Sequence, residues 1–389
     1  MNSLLDLDLT NKHVLLRADL NLPCHEGQFS DLTRLERLIP TLTLLLAKGA
    51  RVLVLSHLGR PNGKDLSLSL APIAPLMAQL VGQPVHFVSD CIGTPVVEAL
   101  AGPDNLFLLE NARFYPGEEA GDPAFAKALS ENGDLFVNDA FSVSHRAHAS
   151  VVGLTEYLPS YPGLQMTEEL AALESALTHP VRPVAAIVGG SKVSTKIELL
   201  MHLVTKVDIL MIGGGMANTF LKATGVDVGA SMAESGCEAL VSTIQKQAQE
   251  SGCQILLPWD GRGGSDLKGC PPQDLSLGHL RHEDKIFDIG PQTLAAFMQA
   301  IERAKTLIWN GPVGVFEVPP YDAGTSALAR HVAQLTKETG LISIAGGGDT
   351  VAALAHAGAT EGMTYVSTAG GAFLEWMEGK TLPGVAALG

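Results

Sequence analysis

Four arginines stand in four separate short polar words of this chain. Arg34 follows Asp31-Leu-Thr33, Arg60 lies in Ser56-His57-Leu58-Gly59-Arg60-Pro61, Arg113 in Leu109-Glu110-Asn111-Ala112-Arg113-Phe114, and Arg146 in His145-Arg146-Ala147-His148. A guanidinium grips phosphate or carboxylate in a fork, so four converging ones would make a pocket for a small, multiply charged anion. Gly59 permits a tight backbone and Pro61 stiffens it, which would present His57 and Arg60 from a fixed loop. Asp19 and Asn21, two apart in Arg17-Ala-Asp19-Leu-Asn21-Leu-Pro23, share one side of an extended chain and can face one ligand. The alternative is a turn that caps its own backbone. Arg34 in the first turn of a helix opposes the helix dipole, which asks for a reason other than helix stability, or it is simply solvated. His145 and His148 are three apart, with no third ligand at a matching spacing. They read as structural or phosphate-facing before they read as a metal site.

The second half carries a different set of words. Gly189-Gly190-Ser191-Lys192-Val193-Ser194-Thr195-Lys196 follows an apolar run and leads into an apolar helical pattern. It lacks the G-x-x-x-x-G-K-[ST] spacing of a P-loop. What remains is a glycine-rich turn, a helix start with free N–H groups, and two lysines expected four apart on one helix face. Stacked ammonium groups repel unless an anion lies between them, and phosphate is the natural guest; a solvated basic face is the alternative. Gly213-Gly214-Gly215 and Gly346-Gly347-Gly348-Asp349-Thr350 each follow a strand and open a helix, but neither fits G-x-G-x-x-G, so the dinucleotide fingerprint is missing. Asp349 can cap its helix or hold Mg²⁺ beside phosphates. Glu317, ending Trp309-Asn310-Gly311-Pro312-Val313-Gly314-Val315-Phe316-Glu317, is placed to take ribose hydroxyls. Ser367-Thr368-Ala369-Gly370-Gly371-Ala372 is one more amide-rich turn before a helix.

Positioning these words requires strands that end where they begin. Short Val-, Ile- and Leu-rich runs predict strands at His13–Asp19, Arg51–Ser56, Val85–Val88, Asn105–Glu110 and Leu135–Asp139. A second series is predicted at Val184–Val188, Asp208–Ile212, Gln254–Pro258, Thr306–Trp309, Leu341–Ala345 and Tyr365–Ser367. Strands apolar on both faces and alternating with helices imply parallel sheets covered on both sides. Two series imply two doubly wound α/β domains, with ligands beyond the carboxyl ends of the strands. Leu164, Leu170, Leu173 and Leu177 recur near helical spacing between Gly163 and His179, and Pro180 and Pro183 stop the pattern. This segment is expected to join the domains, the alternative being an ordinary surface helix.

Bulk properties narrow the classes. A chain of 389 residues suits two domains, and 46% apolar against 17% charged residues argues against disorder. The formal net charge of −15 disfavours nucleic acid and acidic membrane surfaces as partners. No apolar run approaches the roughly 20 residues of a membrane span. Met1 to Thr10 holds no basic residue, which argues against a secretory or organellar leader. Cys24, Cys91, Cys237, Cys253 and Cys270 are scattered without C-x-x-C spacing, which argues for a reducing cytoplasm and against structural zinc.

From Arg17 to the C-terminus the chain resembles the phosphoglycerate kinase family. The resemblance rests on SHLGRP, LENARF, VNDAF, HRAH, GGSKVSTK, WNGPVGVFE and GGGDT, in this order. It implies two Rossmann-like domains joined by a hinge helix: residues 1–163 with about 381–389, helix 164–179, and 180–380. The first would bind 3-phosphoglycerate through Asp19, Asn21, Arg34, His57, Leu58, Gly59, Arg60, Arg113 and Arg146. The second would bind ATP with Mg²⁺ through Lys192, Lys196, Glu317, Gly347, Gly348, Asp349 and Thr350, Asp349 reaching the metal through the nucleotide. Arg34, Lys192, Gly348 and Gly371 would serve the transfer itself, and a monomer is expected. Two positions depart from the family pattern. Ala369 stands where the first Gly of S-T-G-G-G-A is usual, and Ser142 where Gly often follows VNDAF.

A carboxylate acceptor is already ionised near neutral pH and needs no general base. The task left is electrostatic, which suits cationic words. An NAD-dependent dehydrogenase would share the architecture but not the missing fingerprint. A silent anion-binding protein would have no use for Lys192, Lys196 and Asp349.

Overall fold

The structure, a computed structural model, describes residues 4–25, 28–268 and 271–389. Met1 to Ser3, part of the segment read for a leader, and Cys270 lie outside them. The chain divides into two compact units, Met1–Leu170 with Thr381–Gly389, and Ala171–Lys380.

The first unit holds strands β1 (His13–Arg17), β2 (Cys24–His25), β3 (Gln28–Phe29), β4 (Arg51–Leu55), β5 (His86–Val88), β6 (Leu106–Leu109), β7 (Leu135–Asn138) and β8 (Ser160–Pro162). β2 and β3 pair as a hairpin, and the others form one parallel sheet in the order β5-β6-β4-β1-β7-β8. Side chains alternate between its faces. Val14 and Leu16 pack with Leu35, Leu38, Leu42 and Leu45 of helix Thr33–Ala47, whose spacing puts them on one stripe. Leu15 packs on the opposite face with Phe125, Ala126 and Leu129 of helix Pro123–Ser130. Truncating one such buried leucine to alanine costs about 2–5 kcal/mol.

The expected strands of this unit are present with ends shifted by one or two residues. β1 stops at Arg17 and β4 at Leu55 because Ser56 turns its hydroxyl inward, donating to Ala18 O at 2.7 Å and accepting from Leu20 N at 2.9 Å. β8, an edge strand ending in proline, has no apolar run to announce it. The helix expected over Gly163–His179 is α-helical over Leu164–Leu173 and π-helical over Glu174–Thr178. Its start is capped from within the first unit: Asp139 Oδ1 accepts from Met166 N at 2.9 Å and Thr41 Oγ1 from Leu164 N at 3.1 Å. Residues 381–389 join the same unit, with Gly384 N donating to Ser144 O at 2.8 Å.

The second unit holds β9 (Val184–Val188), β10 (Ile209–Ile212), β11 (Gln254–Leu256), β12 (Asp260–Gly264), β13 (Gln273–Ser276), β14 (Lys285–Ile289), β15 (Thr306–Asn310), β16 (Ile342–Gly346) and β17 (Tyr365–Ser367). Six of them form a parallel sheet in the order β11-β10-β9-β15-β16-β17. Ala185, Ile187, Leu307 and Trp309 bury one face against Phe297, Ile301, Leu328 and Val332. An antiparallel sheet in the order β13-β12-β14 was not expected from the sequence. β12 reads Asp-Gly-Arg-Gly-Gly, which carries no apolar alternation. Its glycines are needed because the backbones close in: a Cβ on Gly263 would sit 1.9 Å from Lys285 O. Cys24, Cys91, Cys237 and Cys253 are free thiols. Among the described residues no helix is long and apolar enough to cross a membrane.

Candidate active site

In the first unit the polar words gather beyond the ends of β1, β4, β6 and β7. Asp19 and Asn21 do not lie side by side on an extended strand, because β1 has already ended. Asn21 N donates to Asp19 Oδ1 at 3.0 Å, so this is the self-capping turn. Asn21 Oδ1 accepts from Gly59 N at 2.8 Å, tying the loop after β1 to the loop after β4. Arg34 reaches back from the first turn of its helix to Asn21 O at 2.7 Å and Asp19 Oδ2 at 3.2 Å. Those partners offset its placement against the helix dipole.

The loop after β4 is fixed from below. Asn111 Nδ2 donates to Leu58 O at 2.8 Å, and Arg113 Nη1 to Gly59 O at 2.7 Å. Gly59 has φ +64°, and a Cβ there would meet Leu68 at 2.9 Å, so only glycine fits. Arg113 also pairs with Glu119 at 3.1 Å. Arg60 is exposed and close enough to Arg113 for their charges to interact. Arg146 is exposed too, and among the described residues no hydrogen bond or ion pair ties its side chain to the cluster.

His57 is buried, and its pKa is driven well below the ordinary value by desolvation, then by Arg17, Arg113 and Arg34. It is therefore a neutral imidazole at physiological pH. Arg17 Nη2 lies 3.2 Å from His57 Nδ1. An arginine can only donate, so Nδ1 accepts and the ring proton sits on Nε2. Arg17 was not singled out in the sequence, although an arginine ending an otherwise apolar strand is a signal. It is fully buried and donates through Nε to Ser150 Oγ at 2.8 Å. Buried Glu118 accepts from Ser150 N at 2.9 Å and from its hydroxyl, and lies 3.8 Å from His148 Nδ1. His148 thus faces a carboxylate inside the protein. Among the described residues no group of three or more His, Cys, Asp and Glu side chains is arranged to hold a metal ion.

In the second unit the pair Lys192 and Lys196 needs correction. They do not share a helix face, because the helix begins only at Ile197. The preceding segment is held as a turn, with Lys196 N donating to Val193 O, and Ser194 N and Oγ both donating to Glu234. Lys192 is exposed. Lys196 folds under the loop, with Nζ 2.7 Å from Gly189 O and 2.6 Å from Asn310 Oδ1. Burial brings its pKa down to about 8, against the opposing pull of Asp349. Asn310, not singled out before, also donates through Nδ2 to Gly346 O at 2.9 Å, bracing β15 against β16.

Helices Gly348–His356 and Gly370–Met377 point their first turns to solvent, leaving Gly348, Asp349 and Gly371 exposed. Gly347 precedes the first helix at φ +98°. Thr350 is buried and its hydroxyl accepts from Gly311 N at 2.7 Å, so it shapes the loop after β15. Ala369 adopts φ −90°, a conformation open to any residue, and its methyl is buried without disturbing the helix start. A cleft of about 680 Å³ opens beside these turns, walled by Met232, Pro258, Phe287 and Val313 and edged by Glu317 and Asp349. Asp288 also lines it, a buried carboxyl raised to about 7 by desolvation and accepting from Gly324 N at 2.7 Å and Ile289 N at 2.9 Å.

Such a cleft, apolar within and edged by carboxylates and amide-rich turns, suits a nucleotide. Comparisons with known proteins give the family. The phosphoglycerate kinase family profile matches residues 4–380. The chain is 52% identical over 382 residues to a phosphoglycerate kinase of Sinorhizobium fredii, covering 97% of this chain and 96% of that one. It is 52% identical over 386 residues to one from Granulibacter bethesdensis, covering 98% of each. The solved structure of phosphoglycerate kinase from Coxiella burnetii superposes with a TM-score of 0.91 at 40% identity, covering 98% of this chain and 97% of that chain. Fold and site together define an ATP-dependent phosphotransferase built from two α/β units. The chain belongs to the phosphoglycerate kinase family.

Proposed function

We propose that this chain transfers a phosphoryl group reversibly between ATP and the carboxylate of 3-phosphoglycerate, giving 1,3-bisphosphoglycerate and ADP, through the following residues. The observation that carries the assignment is the division of labour. The guanidinium cluster around Arg34, Arg113 and neutral His57 lies on the first unit, and Lys196 and the cleft edged by Asp349 lie on the second.

Asp19, Asn21, His57, the Leu58-Gly59 turn, Arg60, Arg113 and Arg146 bind the phosphoglycerate, His57 offering Nε2–H as a neutral donor. Lys196 meets the nucleotide phosphates, Glu317 the ribose, and Gly347, Gly348 and Thr350 shape the turn that receives them. The acceptor carboxylate attacks in line without a base. Arg34 and Lys192 offset charge on the transferring group, and the N–H groups of Gly348 and Gly371 receive charge as it develops. Asp349 is a single exposed carboxylate, which suits Mg²⁺ held largely by phosphates and water. When bound, Mg²⁺ supplies charge neutralisation of the nucleotide. Transfer between the two ligand sets requires hinge closure, which also keeps water from the acyl phosphate. The chain acts as a monomer in the cytoplasm. The test is a coupled assay for ADP formed from ATP and 3-phosphoglycerate; ADP release without the acid, or none with it, would refute the assignment.

A further inference from the structure

Ser142 lies on the turn Phe141–Val143 that follows β7. Its Oγ donates to Asp19 Oδ2 at 2.6 Å, across 123 residues of chain. The other oxygen, Oδ1, accepts from Asn21 N at 3.0 Å. Each oxygen of this carboxylate is therefore held by its own neutral donor. Arg34 approaches with one nitrogen only, Nη1, at 3.2 Å from Oδ2 and 3.4 Å from Oδ1. Its short bond, 2.7 Å, goes to Asn21 O instead. A carboxylate free to rotate beside a guanidinium closes into a two-bonded fork at roughly 2.7–2.9 Å. Here that fork has not formed.

We propose that Ser142 is a positioning residue of the acid site. Its hydroxyl holds the Asp19 carboxylate turned away from a fork with Arg34. That leaves the remaining N–H groups of Arg34 for an incoming anion and a lone pair of Asp19 for a substrate hydroxyl. Without the hydroxyl the carboxylate swings onto Arg34, and an anion must then break an ion pair before it binds. The family pattern often has glycine here, so the restraint tunes affinity and is not required for the reaction. The inference rests on the acid-site reading given above.

The test is calorimetric titration of the nucleotide-free full chain with 3-phosphoglycerate, beside steady-state kinetics and a melting curve. Ser142→Ala should raise Kd and KM on the order of fivefold, the net worth of one hydrogen bond, with kcat within about twofold. Ser142→Thr, which keeps the hydroxyl, should restore binding. Ser142→Gly should behave as Ser142→Ala and stands in for it should the alanine variant misfold. In an Asp19→Asn background Ser142→Ala should add nothing, because the two act as one unit. A packing role would instead lower the melting temperature and leave Kd unmoved. Binding by the parent chain with equal Kd in the alanine variant overturns the proposal alone, as does a full additive loss in the Asp19→Asn background. No heat from the folded parent at millimolar ligand overturns the acid-site reading and this proposal with it.

Discussion

Nζ of Lys196 lies 2.6 Å from Oδ1 of Asn310, at the end of β15, and 2.7 Å from Gly189 O at the start of its own glycine-rich turn. The lysine is thereby partly withdrawn from solvent, and the charge of Asp349 opposes the resulting fall in its pKa. Its pKa of about 8 lies below the model-peptide value of 10.5, so between those values the unfolded chain binds the extra proton. Stability contributed by this group therefore rises as pH climbs from about 8 towards 10.5 and is lowest below 8. Phosphate bound beside Nζ favours the ammonium form, so nucleotide binding should take up protons near and above pH 8. Calorimetry in two buffers of different ionisation enthalpy at pH 8.5 should show that uptake, and Lys196→Met should abolish it.

The arginines should separate by kinetics. Arg34→Ala should lower kcat by roughly 10²–10³, the usual loss for one transition-state donor. Arg60→Ala and Arg113→Ala should chiefly raise KM for 3-phosphoglycerate. Arg113 also holds Gly59 O and pairs with Glu119, so its removal should cost about 1 kcal/mol of stability, whereas exposed Arg60 should cost none. Near-normal kcat for Arg34→Ala would make Arg34 a binding residue.

Ala369 should be silent. With φ at −90° the alanine needs no strained backbone to present the amides that follow it. Ala369→Gly should change kcat by less than about tenfold, or about 1.4 kcal/mol of barrier. A gain of several hundredfold would mean that the methyl obstructs the turn.

Two buried acids give the chain a pH-dependent stability. Asp139 is raised to about 6 and Asp288 to about 7, each mainly by desolvation, from 3.8. Between 3.8 and these values the native state binds protons that the unfolded state has released. Stability should therefore fall as pH rises through this window, by up to about 1.4 kcal/mol per pH unit for each acid. Urea midpoints between pH 4.5 and 8 should show the slope. Asp288→Asn should remove its share between pH 6 and 8, whatever it does to absolute stability. An unchanged slope would mean that Asp288 titrates normally.

Much of this protein is determined by its sequence alone, because the signals are local. Apolar runs such as Val-Leu-Leu-Arg and Val-Ala-Ala-Ile-Val mark buried parallel strands, and the polar words directly after them mark the strand ends. Arg60, Gly59 and Asp349 could be placed that way, since each lies within a few residues of its strand end. Tertiary structure decided what depends on partners far along the chain. Arg17 and Arg60 look alike in sequence, yet one is locked against Ser150 and His57 and the other is exposed. Lys192 and Lys196 look like a matched pair until Glu234 and Asn310 pull the segment between them out of a helix. The antiparallel sheet around β12 has no hydrophobic period to read, because its strand exists through close backbone approach. The bond from Ser142 to Asp19 spans 123 residues, and only the folded sheet, by setting β7 beside β1, brings donor to acceptor.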